Sequence, residues 1–434
     1  MSLTSWKEDF EGKRVLIWGY GMEGRSSYRF IRRLLPQQTL YIADTDASKI
    51  AGTENTVFVK DEDVSTDDYD LVLKSPGIVV REGMDLEKIS GEAPLFLKHY
   101  RDRTVGITAT KGKSTTTSLT AAILKKKINA ILVGNIGIAC FDIIDEMENG
   151  AVAVFEIACH HLEYAKESPH VGVLMNLYEE HLDHYGSFEK YGAAKANVFR
   201  HQKKGDLCLL GKDLKDFIAE SINRPVLIGS EIRAEGRKLI TPDRELEIKD
   251  CRLIGAHNYQ NLAVAYYIGQ YYGVSDEQVI EAAREFVPLH HRIEDLGCRN
   301  GIRYINDSIS TIGQSCIQAL KALDDVDVVL VGGMDRGIDY DELEQYLASR
   351  DTAVVFMYGS GKRIFEEMKN KGLARRDMVY CEDLETAVRT AEGICRPAHS
   401  ILLSPAASSY DHFKNFEQRG EIFRRLAFDE MESH

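Results

Sequence analysis

A short apolar run, Thr104-Val105-Gly106-Ile107-Thr108, leads straight into Ala109-Thr110-Lys111-Gly112-Lys113-Ser114-Thr115-Thr116-Thr117 and then into a helix-like stretch. That order predicts a strand–turn–helix unit, the building block of sheets with mostly parallel strands. It also predicts a phosphate site. A Gly-Lys pair at such a turn lets backbone N–H groups face an anion, Lys113 can reach the β/γ-phosphates, and the Ser114 hydroxyl can ligate Mg²⁺. The usual first glycine of this pattern falls at Ile107, and the glycine of its shorter variant at Ala109, so the loop is a variant form.

A second glycine-rich turn competes with the first for the functional reading. Gly19-Tyr20-Gly21-Met22-Glu23-Gly24 follows the run Val15-Leu16-Ile17-Trp18, and Asp44 closes the next predicted strand, Leu40-Tyr41-Ile42-Ala43. This is a complete dinucleotide fingerprint, in which the glycines admit a pyrophosphate and Asp44 takes a ribose hydroxyl. Taken alone it fits an NAD-dependent oxidoreductase. A UDP-sugar needs the same physics, so the motif specifies a diphosphate ligand and leaves the rest of that ligand open.

Elsewhere, short β-branched runs alternate with amphipathic stretches, which predicts an α/β fold. The 434 residues are enough for about three domains. We expect a Rossmann-like N-terminal domain over 1–100, a central P-loop ATPase α/β domain over 101–294, and a C-terminal Rossmann-like α/β domain over 295–434. A helix is expected from Asn258 to Tyr272. Ser275 and Gln278 have capping-box spacing ahead of Val279, Ala282, Ala283 and Phe286. A hairpin is expected over Ile293–Asn306. The net charge of −14 opposes non-specific nucleic-acid binding. The eight cysteines form no C-x-x-C pair, the opening residues carry no apolar export core, and no apolar run reaches membrane-span length. A cytoplasmic location without membrane insertion is expected.

After the phosphate loop come Glu156 at a strand end, Glu180-His181 after another strand, and Lys195 on a helix. Carboxyl ends of strands frame the ligand crevice of open α/β sheets, so these groups can converge on Mg²⁺ and the γ-phosphate. Hard oxygen ligands beside a phosphate loop favour Mg²⁺ over the zinc that Glu180-His181-x-Asp183-His184 would suggest. For His160, His161 and His184 the simpler reading is capping or packing.

Together the phosphate loop, Gly134-Asn135-Ile136-Gly137, Glu156, Asn176 to His184 and Tyr191 to Lys195 resemble the central ATPase domain of the Mur ligases. Gly255 to Asn261, His291-Arg292-Ile293-Glu294, Asn306-Asp307-Ser308, and Leu403 to Ala406 through Phe413 to Gly420 carry the resemblance along the whole chain. Including Ser75-Pro76-Gly77-Ile78, the pattern is nearest to the members that act on UDP-N-acetylmuramoyl-L-alanine and glutamate. The resemblance implies ATP-driven amide synthesis in peptidoglycan formation by a monomer, through an acyl phosphate. It assigns catalysis to Lys113, Glu156, His181 and Lys195. ATP would be held by Thr110, Lys111, Gly112, Lys113, Ser114, Thr115, Asn261, Arg292 and, at the ribose, Asp307. Mg²⁺ would sit on Ser114, Glu156, His181 and Lys195, the last as a carbamate. The UDP-substrate would meet Gly21, Met22, Glu23, Gly24, Asp44, Gly77, Asn135 and His181, and glutamate would meet Thr311, Arg336, Ser409 and Phe416.

Several positions depart from the family pattern. Ala109 and Lys111 replace a glycine and an asparagine. Ala158-Cys159-His160-His161 stands where a Ser-Ser-Phe-Gln-like run is common. Asp307-Ser308-Ile309-Ser310-Thr311-Ile312 replaces Asp-Ser-Lys-Ala-Thr-Asn, and Arg336 replaces a lysine, all near the expected glutamate site. D-glutamate is the favoured amino acid and L-glutamate the alternative. A folylpolyglutamate-synthetase-like ligase, a nicotinamide oxidoreductase and a nucleotide-binding protein without catalysis are the remaining readings.

Overall fold

A computed structural model describes residues 3–50, 52–287 and 290–428. The chain forms two compact units, Met1–Cys251 with Tyr259–Phe286, and Arg252–Asn258 with Val287–His434.

The first unit carries two parallel sheets. One consists of β1 (Val15–Trp18), β2 (Leu40–Asp44), β3 (Thr56–Lys60), β4 (Leu71–Lys74) and β5 (Ile89–Ser90), in the order β3-β2-β1-β4-β5. The other consists of β6 (Thr104–Thr108), β7 (Ala130–Gly134), β8 (Val152–Glu156), β9 (Val171–Leu174), β10 (Leu207–Gly211) and β11 (Val226–Ile228), in the order β11-β10-β9-β6-β8-β7. Strands β6, β8 and β9 are fully buried apolar runs, apart from Val152 and the polar residues at their ends, as expected of parallel strands covered on both faces. A shared core joins the two sheets through helices Met22–Leu34 and Glu92–Tyr100, with Trp6 edge-on to Phe30 and Phe141 at 4.9 and 5.1 Å. A small antiparallel sheet, β12 (Arg233–Glu235), β13 (Lys238–Ile240) and β14 (Glu245–Glu247), is not foreshadowed by the sequence, because its strands are only three residues long and each carries charge.

The second unit holds β15 (Glu294–Arg299), β16 (Ile302–Asn306), β17 (Val326–Val331), β18 (Ala353–Met357), β19 (Met378–Cys381) and β20 (Ser400–Leu403), in the order β15-β16-β20-β17-β18-β19. Only the β15–β16 hairpin is antiparallel, matching the expected hairpin, and separate apolar clusters cover the two faces of this sheet. The expected helix runs over Ala256–Tyr271, and the Ser275–Gln278 capping box is present at the next one. No helix among the described residues is long and apolar enough to cross a membrane.

Candidate active site

In the first sheet the expected diphosphate residues gather at the carboxyl ends of the adjacent strands β2, β1 and β4. Gly19 has φ +93°, and a Cβ at Gly24 would lie 2.0 Å from the Gly19 carbonyl oxygen, so these two glycines let helix Met22–Leu34 sit against its strand. Gly21 and Gly77 differ from them, since a Cβ added at either would have nothing within 4 Å, and Met22 is 58% exposed, which leaves an open lip above the helix start. Asp44 closes β2. Burial raises its carboxyl pKa, but hydrogen bonds from Lys49 Nζ and the Tyr20 N–H, each 2.8 Å, outweigh this and hold it at about 2. Glu23 accepts from His161 Nε2 at 2.7 Å. Because His161 Nδ1 accepts the Ala158 N–H at 3.1 Å, Nε2 carries the proton in the neutral ring. His161 thus caps the helix Cys159–Leu162, the role expected of it.

In the second sheet the ends of β7, β8, β6 and β9 lie side by side, and they present Asn135, Glu156, the phosphate loop and the Asn176–His181 segment in that spatial order. Gly112 adopts φ +90° at the start of helix Lys113–Leu124, and a Cβ there would meet Asn261 Oδ1 at 2.9 Å. Lys113 Nζ donates to the Ala109 and Thr110 carbonyls at 2.8 and 3.0 Å. Lys195 Nζ donates to the same Ala109 carbonyl at 2.9 Å and to Thr108 Oγ1 at 3.3 Å. Ala109, a departure in sequence, is therefore where two lysine amines meet. Lys195 is 1% exposed; burial first, and the charge of Lys113 second, lower its amine pKa to about 7.

Asn176 braces the loop by accepting the Lys111 N–H at 2.9 Å and donating to the Lys111 carbonyl at 3.0 Å. Thr110 shares a 2.9 Å hydrogen bond with Tyr191. The extra charge at Lys111 pairs with Glu180 Oε1 at 3.1 Å. Burial raises the Glu180 pKa, yet Lys111 and Lys113 together leave it below its ordinary value.

Glu156 is fully buried. Its Oε1 accepts from Asn135 Nδ2 at 3.0 Å, whereas Oε2 has no hydrogen-bond partner among the described residues; nor does the buried Thr115 Oγ1. A buried carboxylate oxygen left unsatisfied is costly, and a hard divalent cation is the partner that suits it. His181 adopts φ +57° and is exposed, with its ring 5.0 Å from that of His160. Burial, with His184 and His181 nearby, lowers the His160 pKa to about 3.

In the second unit, loops after β16, β20 and β17 adjoin one another. The exposed Arg336 guanidinium donates to the Thr311 carbonyl at 3.1 Å, which brings together two of the residues expected at the amino acid. Ser409 is buried, and the Phe416 carbonyl accepts from Ser308 Oγ at 2.8 Å. Asp307 accepts from Ser310 Oγ, Ser404 Oγ and the Ile293 N–H, and its burial raises its pKa to about 6. Arg292 lies just before β15, beside His257, whose pKa falls to about 4 through burial and then the Arg292 charge. Sequence reasoning did not single out Arg419. It is fully buried and donates to Ser308 Oγ at 3.0 Å, the Ser308 carbonyl at 2.7 Å, the Ala407 carbonyl at 3.0 Å and the Ser408 carbonyl at 3.3 Å.

The profile of the Mur ligase middle domain matches residues 107–269. A protein of Aquifex aeolicus named UDP-N-acetylmuramoylalanine–D-glutamate ligase is 31% identical, with 95% of this chain and 98% of that protein covered. One of Koribacter versatilis with the same name is 30% identical over 96% of this chain and 98% of its own length. The fold is similar to that of MurF ligase from Thermotoga maritima, solved in complex with ADP, with a TM-score of 0.60, 16% identity and coverage of 96% and 95% of the two chains. It is also similar to UDP-N-acetylmuramate-alanine ligase MurC from Thermotoga maritima, with a TM-score of 0.59, 19% identity and coverage of 96% and 100%.

Proposed function

Because the chain belongs to the Mur ligase family, among relatives named UDP-N-acetylmuramoylalanine–D-glutamate ligase, we propose that it joins D-glutamate to UDP-N-acetylmuramoyl-L-alanine at the expense of ATP. The observation that carries this reading is the convergence of Lys113, Lys195 and the unsatisfied Glu156 oxygen around the phosphate loop. Such a site favours transfer of a phosphoryl group, whose developing negative charge needs fixed cations. A nicotinamide oxidoreductase has no use for it.

In the proposed reaction the alanyl carboxylate attacks the γ-phosphorus, giving an acyl phosphate and ADP. The glutamate amine then attacks the acyl carbon, loses a proton, and expels inorganic phosphate as the amide bond forms. Lys113 neutralises charge on the transferred group. Ser114 and Glu156 would hold Mg²⁺, with His181 and a carbamate on Lys195 toward a second ion; such ions supply charge compensation at the phosphates. The depressed Lys195 pKa supports the carbamate, since only a neutral amine reacts with CO₂. After that reaction one N–H remains, enough for the bond to the Ala109 carbonyl.

Gly21, Met22, Glu23, Gly24, Asp44 and Gly77 are proposed for the uridine diphosphate, Asn135 and His181 for the muramoyl part. The open space at Gly21 and Gly77 supports a ligand there, and Gly24 and Asp44 also shape the turn that would receive it. Thr110, Lys111, Gly112, Thr115, Asn261, Arg292 and Asp307 keep the nucleotide roles that the family resemblance gives them. Thr311, Arg336, Ser409 and Phe416 are proposed for glutamate. The division 1–100, 101–294 and 295–434 then separates UDP-substrate, ATP and amino-acid binding, in a cytoplasmic monomer.

Phosphate release with ATP, Mg²⁺, UDP-N-acetylmuramoyl-L-alanine and either enantiomer of glutamate tests the proposal. Release that requires D-glutamate supports it. A preference for L-glutamate overturns the stereochemistry alone, and release with neither enantiomer overturns the function.

A further inference from the structure

One cluster of chemically active side chains joins His181 to residues that have no task in amide ligation. Cys159 and His160 open the helix Cys159–Leu162 just beyond β8, and His181 and His184 follow β9. Donor atoms of Cys159, His160 and His181 all lie within 4.8 Å of one another, as do those of His160, Glu163 and His184. The His160 ring is 5.0 Å from that of His181 and 4.3 Å from that of His184. Two of these residues, Cys159 and His160, stand in the segment where the sequence departs from the family's Ser-Ser-Phe-Gln-like run.

We propose that Cys159, His160 and His181 bind a borderline-soft divalent cation of the Zn²⁺ class, distinct in chemistry from the Mg²⁺ that accompanies ATP. A thiolate and two imidazoles are the ligands such ions prefer and Mg²⁺ avoids. Bond lengths of about 2.0–2.1 Å to nitrogen and 2.3 Å to sulfur set tetrahedral donors roughly 3.3–3.6 Å apart, so atoms within 4.8 Å of one another need to close by at most about 1.5 Å, within reach of side-chain rotation. Three protein ligands leave one coordination position for water. Binding releases one proton, from the Cys159 thiol, as the metal–sulfur bond forms. The neighbouring His160–Glu163–His184 set is the weaker candidate, because Glu163 Oε2 already faces His184 Nε2 at 3.3 Å and the Lys74 ammonium at 3.7 Å.

A consequence follows that rests on the role proposed for His181 in ligation. A zinc ion that takes the His181 ring withdraws it from the substrate site, so ligation becomes zinc-sensitive, and Cys159 and His160 set that sensitivity.

The experiment uses the full chain, stripped with chelator, desalted and titrated with Co²⁺ alone. The expected result is a sulfur-to-cobalt charge-transfer band with the visible bands of tetrahedral Co²⁺, both bleached by added Zn²⁺. Cys159→Ser should abolish the charge-transfer band and His160→Ala, which removes a direct ligand, should weaken binding about 100-fold or more, whereas Cys298→Ser should change neither. Absence of the band in the wild-type protein, or its survival in a folded Cys159→Ser variant, overturns the site. In the phosphate-release assay with Mg²⁺, Zn²⁺ should inhibit the wild type and spare His160→Ala; equal inhibition of both overturns the regulatory consequence. The cobalt spectrum needs neither ATP nor substrate, so it stands or falls apart from the ligase reading.

Discussion

Replacing Lys195 with methionine should make the protein more stable and inactive at once. Its amine pKa is lowered from 10.5 to about 7 by burial and by Lys113. The folded protein therefore holds fewer protons than the unfolded chain between pH 7 and 10.5, and stability rises with pH across that window and is lost as pH falls to 7. The charged form costs about 5 kcal/mol at and below pH 7, taking 1.36 kcal/mol per unit over the full interval. Methionine keeps the bulk and removes the charge, but leaves the Ala109 carbonyl with one donor fewer, a loss of about 1–3 kcal/mol. A net gain of about 2–4 kcal/mol is expected at pH 6, shrinking steadily toward pH 10. Urea unfolding in CO₂-free buffer measures it through tryptophan fluorescence, since Trp6 and Trp18, the only tryptophans, both belong to the unit that contains Lys195. At pH 7.4 about 70% of this amine is neutral, against about 0.1% for an ordinary lysine, an increase on the order of 10³ in the form that reacts with CO₂. Adding bicarbonate should accordingly raise wild-type phosphate release and leave Lys195→Met silent. A stability difference that does not vary between pH 6 and 9 would refute the electrostatic reasoning, and full activity of Lys195→Ala would refute the carbamate.

Lys113→Ala should lower phosphate release by about 10²–10³ while leaving the protein folded, because its amine is held by loop carbonyls rather than by the core; wild-type turnover in that variant would remove the loop from catalysis. Arg336→Ala should raise the glutamate KM about 10- to 100-fold with little change in the ATP KM, and equal effects on both would place the side chain outside the amino-acid site. Gly24→Ala forces a Cβ to 2.0 Å from the Gly19 oxygen and should destabilise the protein by about 3 kcal/mol or more. Gly21→Ala enters open space and should change stability by less than about 0.5 kcal/mol, so its effect on activity reports ligand contact; the reverse order of stabilities would contradict the geometry.

Much of the fold could be read from the sequence wherever local chemistry and global position agree. The strand, turn and helix around Lys113 are adjacent in sequence, and so are the Ser275–Gln278 capping box and the β15–β16 hairpin. Distant pairings were not legible. Lys111 finds Glu180 across 69 positions, and Arg419 reaches Ser308 across 111, because strand order rather than spacing brings them together. The histidines divide on the same ground. His161 caps its own helix, a local role that composition suggests, whereas His160 meets His181 and His184 only because β8 and β9 both flank β6.

The interior position of Arg419 also has a consequence in time. Helix Phe416–Phe428 is synthesised after every strand of its sheet, yet its guanidinium supplies the donors that hold the turns after β16 and β20. Until that helix is in place, Ser308, Ala407 and Ser408 have no common anchor. A nascent chain thus completes the strands of this sheet before it contains the residue that anchors these turns. Termination between Leu403 and Arg419 would leave every strand of this sheet present and the turns after β16 and β20 without their shared donor.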